Sequence, residues 1–408
     1  MRKITISSSK PKVKQGVIIE PAAGEHRIVH DPENRGYFRL GIREADFLGT
    51  LDGNASREAL AKRTAFSTQQ VEFMLSWLAD RGLLEGSQPK AATTQSKSGL
   101  PKLLSFLFSS ESWRWHLVNP DKFLDRNIGA VHAVFSKAAL LSHLLIFLAP
   151  AIYFLWSPKD VLDTFSHIDI ELSWKQGLIV YLAILLTIAL HEFAHAITCK
   201  HFGGKVEKIA VKLLYLQPVV YCDVSDSWRF RETREKIAVA AAGIFLQLEI
   251  SAIAFVLFVA TGWVALYFYM VFNLIIALLN LFPLIKLDGY WIMVHAMDEP
   301  NLMQKGLQAV DRQVRKLLRV PVPDNTLIAS DSNNYWKILI FGLGHCLAVP
   351  CFWILGLSAI YRYVSKINEQ VALVLLSAFA LLLLYKAFRS LLDYIISLDI
   401  INKIKGTL

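Results

Sequence analysis

The stretch at residues 176–197, QGLIVYLAILLTIALHEFAHAI, decides how this chain folds. It carries no Asp, Glu, Lys or Arg before Glu192, and about 20 consecutive apolar residues are what a helix needs to cross a bilayer. It ends in His191-Glu192-Phe193-Ala194-His195. Ionisable side chains are costly to embed in a membrane unless they pair or bind something. The stretch therefore predicts a membrane-spanning helix with a functional site at one end.

The composition of the whole chain agrees with a membrane protein. Its 408 residues are 54% hydrophobic and 19% charged, whereas soluble domains average about 45 to 50% apolar and about 25% charged. Further apolar stretches of spanning length lie beyond position 135, which excludes a purely soluble enzyme. The four cysteines form no C-x-x-C pair, so they indicate neither a disulfide framework nor a zinc knuckle.

The apolar stretches predict six spans, at residues 138–156, 176–197, 237–261, 264–285, 335–360 and 369–388. An even number puts both termini on one side of the membrane. The connections assigned to the cytoplasm hold thirteen Lys and Arg residues, against four in those assigned outside, which the positive-inside rule associates with cytoplasmic termini. The N-terminus begins basic and lacks the apolar run of a secretory signal. We expect a multi-pass protein of a bacterial cytoplasmic (inner) membrane with both termini in the cytoplasm.

A small soluble domain precedes the spans. In residues 1–85, HRIVHD and GYFRLG flank a turn at Pro32, which predicts two strands. Three helices are predicted after them, beginning at Ile42, Ser56 and Ser67. Residues 86–136 form a linker, rich in Ser, Thr, Lys and Gly at its start, and a membrane-approach segment. The predicted fold is mainly α, a polytopic core of about six transmembrane helices at 137–408 plus a winged-helix-like α+β domain at the N-terminus.

The sequence HEFAH is an H-E-x-x-H pattern. Two histidines four residues apart lie on one face of a helix, so that both imidazoles reach one zinc ion with Glu192 beside it. Such five-residue matches also occur by chance in unrelated chains. Their position at the end of an apolar helix favours a metal site over a chance match.

A catalytic zinc needs a third protein ligand, and the sequence offers two candidates. His201 lies ten residues after His191, but Thr198 stands where a chain-reversing glycine would be needed, and a continuing helix carries His201 about 15 Å beyond His191. Asp288 follows the fourth predicted span, which ends on the same side of the membrane as the second. Both its position after that span and the predicted orientation favour Asp288 over His201.

The pair of motifs HEFAH and NLFPLIKLDG (residues 280–289) resembles the site-2 protease family of intramembrane zinc metalloproteases. The resemblance covers roughly residues 176–292. Within the family, the chain is closer to bacterial peptide zinc metalloproteases, in which a similar N-terminal module precedes the membrane core. The resemblance to the family implies that His191, His195 and Asp288 bind Zn²⁺, that Glu192 is the general base and that Asn280 helps to position a substrate strand. The chain lacks a recognisable PDZ domain, so substrate selection is expected to differ from that of the better-known members.

The N-terminal domain resembles PqqD-like peptide-recognition domains, which bind leader peptides of ribosomally made precursors. The resemblance rests on YFRLGIREADFLGTLDGNASREALAKRT and QVEFMLSWLADRGLL. Winged helices also bind DNA, but the third helix shows no basic stripe for phosphate contacts. We therefore expect a peptide partner and no nucleic acid. The alternative is a purely structural cap on the membrane core.

Three weaker signals complete the pattern. The segment at residues 203–221 contains β-branched residues, which favour strands. It forms either a strand edge for an extended substrate or a hairpin that only packs. Glu249 and His345 lie within predicted spans, where an ionisable residue is a functional candidate. We interpret both as structurally satisfied, with Gln247 as a neighbour that Glu249 could pair with.

These signals predict a zinc endopeptidase that receives a peptide or membrane-anchored protein and cleaves it near the inner face of the lipid bilayer. One rival is a non-proteolytic peptide-binding component of an export system, which would pass the peptide to a transporter or an HlyD-type adaptor. The other is a membrane-tethered regulator, for which residues 1–90 would have to bind DNA.

Overall fold

The computed structural model describes residues 10–21, 26–33, 36–64, 66–87, 114–167, 171–214, 217–320, 334–366 and 368–397. The chain forms two compact units, Met1–Val271 and Phe272–Leu408. Most of the predicted linker lies outside the described residues.

The N-terminal module contains the two predicted strands and three predicted helices, and a short first strand that the sequence did not predict. The strands β1 (Ile18–Ile19), β2 (His26–Asp31) and β3 (Gly36–Gly41) lie in that order, and the helices are α1 (Ile42–Gly49), α2 (Arg57–Arg63) and α3 (Thr68–Asp80). Ser56 and Ser67 cap α2 and α3, because each hydroxyl accepts a backbone N–H of the first turn. The core holds Val29, Phe47, Leu48, Leu60, Val71, Leu75 and Leu78.

The rest of the first unit is mainly helical. Its helices are α4 (Asp121–Arg126), α5 (Ile128–Val134), α6 (Lys137–Trp156), α7 (Pro158–Ser166), α8 (Trp174–His201) and α9 (Thr233–Thr261), and α10 (Val264–Leu281) runs on into the second unit. A capping box between Ser173 and Gln176 begins α8. Gly262, in the left-handed conformation, ends α9.

A second antiparallel sheet combines one strand that precedes α4 with two strands that follow α8. Its strands are β4 (Arg114–Val118), β5 (Ile209–Leu214) and β6 (Gln217–Cys222), in that order. The β5–β6 hairpin confirms the strands predicted within residues 203–221. A short 3₁₀ helix, Ser225–Arg229, continues from β6 towards α9.

The second unit contains α11 (Asp288–Ala296), α12 (Leu302–Leu317), α13 (Tyr335–Val364) and α14 (Glu369–Ser397). Helices α12 and α13 approach closely where Gly306 meets Gly342, since a Cβ on either glycine would overlap the backbone of the other. Pro283 follows the end of α10, and residues 282–287 form a turn instead of the last part of the predicted fourth span.

Four helices have the length and composition to cross a membrane, namely α6, α8, α9 and α10. They confirm four of the six predicted spans. In the described parts of α13 and α14, the apolar segments are shorter, at Tyr335–Ala348 and Glu369–Leu382. The chain is therefore a mainly helical membrane protein, and the fifth and sixth spans stay predictions.

Candidate metal centre

His191 and His195 lie on one face of α8, one turn apart. Each imidazole is only 5% exposed, and the ring centroids are 4.8 Å apart at nearly right angles. The continuous helix gives this arrangement, because residues i and i+4 stack above one another on the same face. The structure thus confirms that the two histidines form a buried pair.

Helix α9 fixes the orientation of both rings through their Nδ1 atoms. His191 Nδ1 lies 3.0 Å from Gln247 Oε1, and His195 Nδ1 lies 2.6 Å from the carbonyl oxygen of Val239. Both partners are oxygen acceptors, so each Nδ1 carries the proton and donates it. Each ring then has its lone pair on Nε2, one of the two nitrogens through which a neutral histidine binds metals.

The two Nε2 atoms are 3.2 Å apart. Two nitrogen ligands at the usual zinc–nitrogen distance of about 2.0–2.1 Å, in a tetrahedral arrangement, are about 3.3 Å from each other. Metal-binding histidines commonly donate their second ring N–H to a carbonyl or a similar acceptor, as both do here. The pair therefore fits a zinc ion by its spacing, its tautomers and its burial.

A glycine in α9 makes room for this arrangement. A Cβ placed on Gly243 would overlap the His191 ring. Gly243 lies one turn before Gln247 on the same helix, so the residue that anchors His191 and the gap that admits its ring belong to one surface of α9.

Glu192 lies beside the pair and contacts the hairpin. Its Oε2 accepts the backbone N–H of Cys222, at 2.7 Å. Cys222 is the last residue of β6, and β6 is an outer strand of its sheet. This hydrogen bond puts the predicted general base at the end of a strand edge.

Asp288 and Asn280 lie in the second unit. Asn280 is in the last turn of α10, and Asp288 is the first residue of α11, where the positive end of the helix dipole favours a carboxylate. A Cβ on Gly289 would overlap the backbone oxygen of Leu281. The LDG motif thus lets the start of α11 approach the end of α10 closely. That Asp288 joins His191 and His195, which lie in the first unit, stays a prediction.

The other ionisable residues that the sequence singled out have structural partners. His201 is the last residue of α8, and its Nδ1 lies 2.9 Å from that of His132. Glu249 pairs with His143 at 2.6 Å, and His345 Nδ1 lies 2.7 Å from the Leu284 carbonyl oxygen. The interpretation of Glu249 and His345 as satisfied is confirmed. The suggested Gln247 partner for Glu249 is wrong, because residues two apart on a helix do not face each other.

Sequence reasoning missed the residues that support the histidines. Gln247, Gly243 and the Val239 carbonyl all come from α9, and the hydrogen bonds to the histidines join residues 56 and 44 positions apart. One signal was available, since Gln247 is a polar residue inside an apolar span. The Val239 and Cys222 contacts involve only backbone atoms, so no residue type at those positions reveals them.

Comparison with known proteins adds an independent observation. Residues 179–264 match the model of Peptidase family M50, the site-2 protease family. The chain is 29% identical over 124 residues to "Putative peptide zinc metalloprotease protein YydH" of Bacillus subtilis (strain 168), an alignment that covers 30% of this chain and 48% of that protein. The chain thus spans about half the length of this curated relative. No solved structure matches this chain.

The family match includes His191, Glu192 and His195 and ends before Asn280 and Asp288. It does not include the N-terminal module either. The segment formed by α8 and α9 is therefore similar to membrane metalloproteases, in the same place where the structure buries the histidine pair.

Proposed function

We propose that this chain is an intramembrane zinc metalloprotease of the site-2 type. It hydrolyses a peptide bond of a membrane-associated protein or a ribosomally made precursor near the cytoplasmic face. The observation that carries the proposal is the buried histidine pair, whose Nε2 atoms lie 3.2 Å apart beside Glu192. The M50 match over the same helices supports it.

The residues that would hold the zinc are His191, His195 and Asp288. This donor set of two imidazoles and a carboxylate is one that catalytic zinc sites use, with a fourth position left for water or substrate. When bound, the zinc would polarise the scissile carbonyl and make water a better nucleophile. Both histidines are buried, each only 5% exposed, so the site is shielded from bulk solvent.

Glu192 is the proposed proton carrier. Its carboxylate accepts the proton from the attacking water and returns it to the amine that leaves. The hydrogen bond from the Cys222 N–H holds Oε2 in place. A carboxylate that is held in this way keeps its orientation between the two transfers.

The substrate is proposed to bind as an extended strand. In a helix, backbone carbonyls are occupied by hydrogen bonds, so a scissile bond has to leave the helical conformation first. The outer edge of β6 offers backbone groups for such a strand, in the β-augmentation mode. That edge ends at Cys222, which contacts Glu192. Asn280 is proposed to position the same strand from the end of α10.

The N-terminal module is proposed to receive the peptide before cleavage. The module belongs to the same compact unit as α8, α9 and the β5–β6 hairpin. A peptide that binds the module is therefore proposed to reach β6 within this unit. A transporter or an HlyD-type adaptor is the partner that the alternative, a non-proteolytic export component, would require. The proposed location is the bacterial cytoplasmic membrane with both termini inside.

Zinc binding is tested on the purified full-length protein. We expect about one zinc per chain by elemental analysis, retained in Glu192→Gln and lost in the double variant His191→Ala, His195→Ala. A protein without zinc would contradict the proposal. Glu232→Gln is a matched control, because this glutamate is exposed at the start of α9.

Proteolysis is tested in the host cell by comparing new protein N-termini between strains with wild-type protein and with Glu192→Gln. We expect a small set of N-termini that disappears only in the Glu192 variant. If the variant binds zinc and the N-termini do not differ, the export-component rival is favoured instead.

A further inference from the structure

A cavity of about 250 Å³ lies between the N-terminal module and the segment that follows β6. The module contributes one wall of the cavity, with Ile18, His30, Pro32 and Tyr37. The segments before β5 and after β6 contribute the other wall, with Lys205, Glu207, Asp223, Ser225, Asp226 and Arg229. Asp223 comes directly after Cys222, the residue that contacts Glu192. The cavity is thus one residue along the chain from the proposed catalytic edge.

A network of charged hydrogen bonds fixes the two walls to each other. Asp226 accepts from the Tyr37 hydroxyl at 2.9 Å, from the Lys205 backbone N–H at 2.8 Å and from Arg229 at 3.1 Å. Arg229 also donates to Glu20 of the module, at 2.6 Å. Asp226 is only 6% exposed. These groups satisfy one another, and they hold the two walls of the cavity together.

His30 is the buried polar group of the wall that lacks such a partner. It is 7% exposed and stacks on Tyr37, with ring centroids 5.3 Å apart. Its Nδ1 is buried and has no hydrogen-bond partner among the described residues. Burial lowers the pKa of His30, and the Arg229 guanidinium lowers it further. A buried polar atom without a partner is unfavourable in a folded protein, and an absent ligand or ion is one explanation of it.

The charged residues of the lining give the cavity an acidic character. Three carboxylates, from Asp223, Asp226 and Glu207, face two cations, from Lys205 and Arg229. The Asp226 and Arg229 charges already neutralise each other. Asp223 is half-buried, and its Oδ1 accepts a hydrogen bond from the Ser225 backbone N–H, at 3.2 Å. A carboxylate in this position pairs well with a cation.

We propose that this cavity is a substrate subsite that takes a basic side chain of a peptide, with Asp223 as its carboxylate partner. The peptide then continues onto the edge of β6, towards Glu192. The identity of the peptide as a substrate rests on the proposed function, whereas the cation preference of the cavity does not. Selection at such a subsite would be independent of a PDZ domain.

Binding is tested with full-length Glu192→Gln protein in nanodiscs. The probe is a fluorescein-labelled, N-acetylated pentapeptide with one lysine among four glycines, and the matched peptide has norleucine in place of lysine. By fluorescence anisotropy at low salt, we expect the lysine peptide to bind about fivefold more tightly, the size of one partly buried charge pair. Asp223→Asn removes this difference, while Glu232→Gln keeps it. The asparagine retains the Oδ1 acceptor for the Ser225 N–H, so the turn is preserved.

Equal binding of the two peptides, or an Asp223→Asn variant with unchanged preference, overturns the proposal. Tighter binding of a glutamate peptide that is lost in Lys205→Gln also overturns it. Zinc content and the thermal unfolding midpoint show that each variant is folded. Because binding requires no hydrolysis, a protein that prefers the lysine peptide and cleaves nothing contradicts only the proposed protease activity.

Discussion

At the scale of single residues, the metal centre depends on which ring nitrogen each histidine keeps for the metal. Helix α9 decides which nitrogen is kept, because the Gln247 side chain accepts a hydrogen bond from His191 Nδ1 and the Val239 carbonyl accepts one from His195 Nδ1. His195 uses a backbone acceptor that a side-chain substitution does not remove. His191 depends on the Gln247 side chain, so the two histidines differ in how easily their support can be removed.

Replacing Gln247 by leucine is expected to weaken zinc binding about 10- to 100-fold, the usual cost of losing a hydrogen bond behind a metal ligand. The apolar side chain leaves the His191 Nδ1–H without its acceptor, and the ring can then rotate or change tautomer. Competition with a chelator of known affinity measures the change in the purified protein.

Gln247→Glu is the matched variant, because its carboxylate still accepts the Nδ1 proton. It should bind zinc at least tenfold more tightly than Gln247→Leu. Equal affinity of the leucine variant and the wild type would show that Gln247 does not hold His191.

His30 gives a pH dependence at the same scale. Its ordinary pKa is 6.5, and burial together with Arg229 lowers it in the folded protein. The unfolded chain therefore binds more protons than the folded chain as the pH falls below about 6.5, and the stabilising contribution of neutral His30, complete above that value, is lost. We expect the thermal unfolding midpoint to fall between pH 7.5 and pH 5.5, and to fall less in His30→Gln. Parallel profiles for the two proteins would contradict this.

The residues of the site show what a sequence can and cannot predict. HEFAH was recognisable, because both histidines and Glu192 lie within about one helical turn. Gln247 was not assigned, because its contact with His191 joins residues 56 apart and depends on how α8 packs on α9. Glu249 was given the wrong partner for the same reason, since its true partner His143 is 106 residues away.

At the scale of elements, local signals predicted most boundaries. The serines at 56 and 67 begin helices, as predicted. Ser173 caps α8 and Pro283 follows the end of α10, but neither residue was used to set the predicted spans at 176–197 and 264–285. The contacts between elements were not predictable. The module reaches the segment after β6 through Tyr37, and its partner Asp226 lies 189 residues away with no pattern that joins them.

This contact between elements predicts a measurable coupling. A hydrogen bond to a charged group contributes about 1.5–3 kcal/mol, so a double-mutant cycle of Tyr37→Phe and Asp226→Asn should give a coupling energy of about 1–2 kcal/mol. Pulse proteolysis in urea measures the free energy of unfolding of each variant. A cycle of Tyr37→Phe with Glu85→Gln is the control, because distant sites are additive. Additivity of Tyr37 and Asp226 would show that this hydrogen bond does not hold the module.

At the scale of the whole molecule, the proposed ligands are divided between the two units. His191 and His195 belong to Met1–Val271, and Asp288 belongs to Phe272–Leu408. A metal that binds the folded protein and not the unfolded chain stabilises the fold by mass action. If one zinc takes ligands from both units, its removal should destabilise the whole protein and not the first unit alone.

We therefore expect chelation of zinc to lower the thermal unfolding midpoint of the wild type by several degrees and to increase proteolytic cleavage in the turn at residues 282–287. Asp288→Asn should already show much of that change before chelation, because its amide is a weaker ligand than a carboxylate, and chelator should add little. Asp298→Asn is the matched control, because Asp298 follows α11 in the same unit, and it should respond to chelator as the wild type does. If Asp288→Asn keeps wild-type zinc affinity and the full response to chelator, the third ligand is another residue and the two units are not joined through this metal.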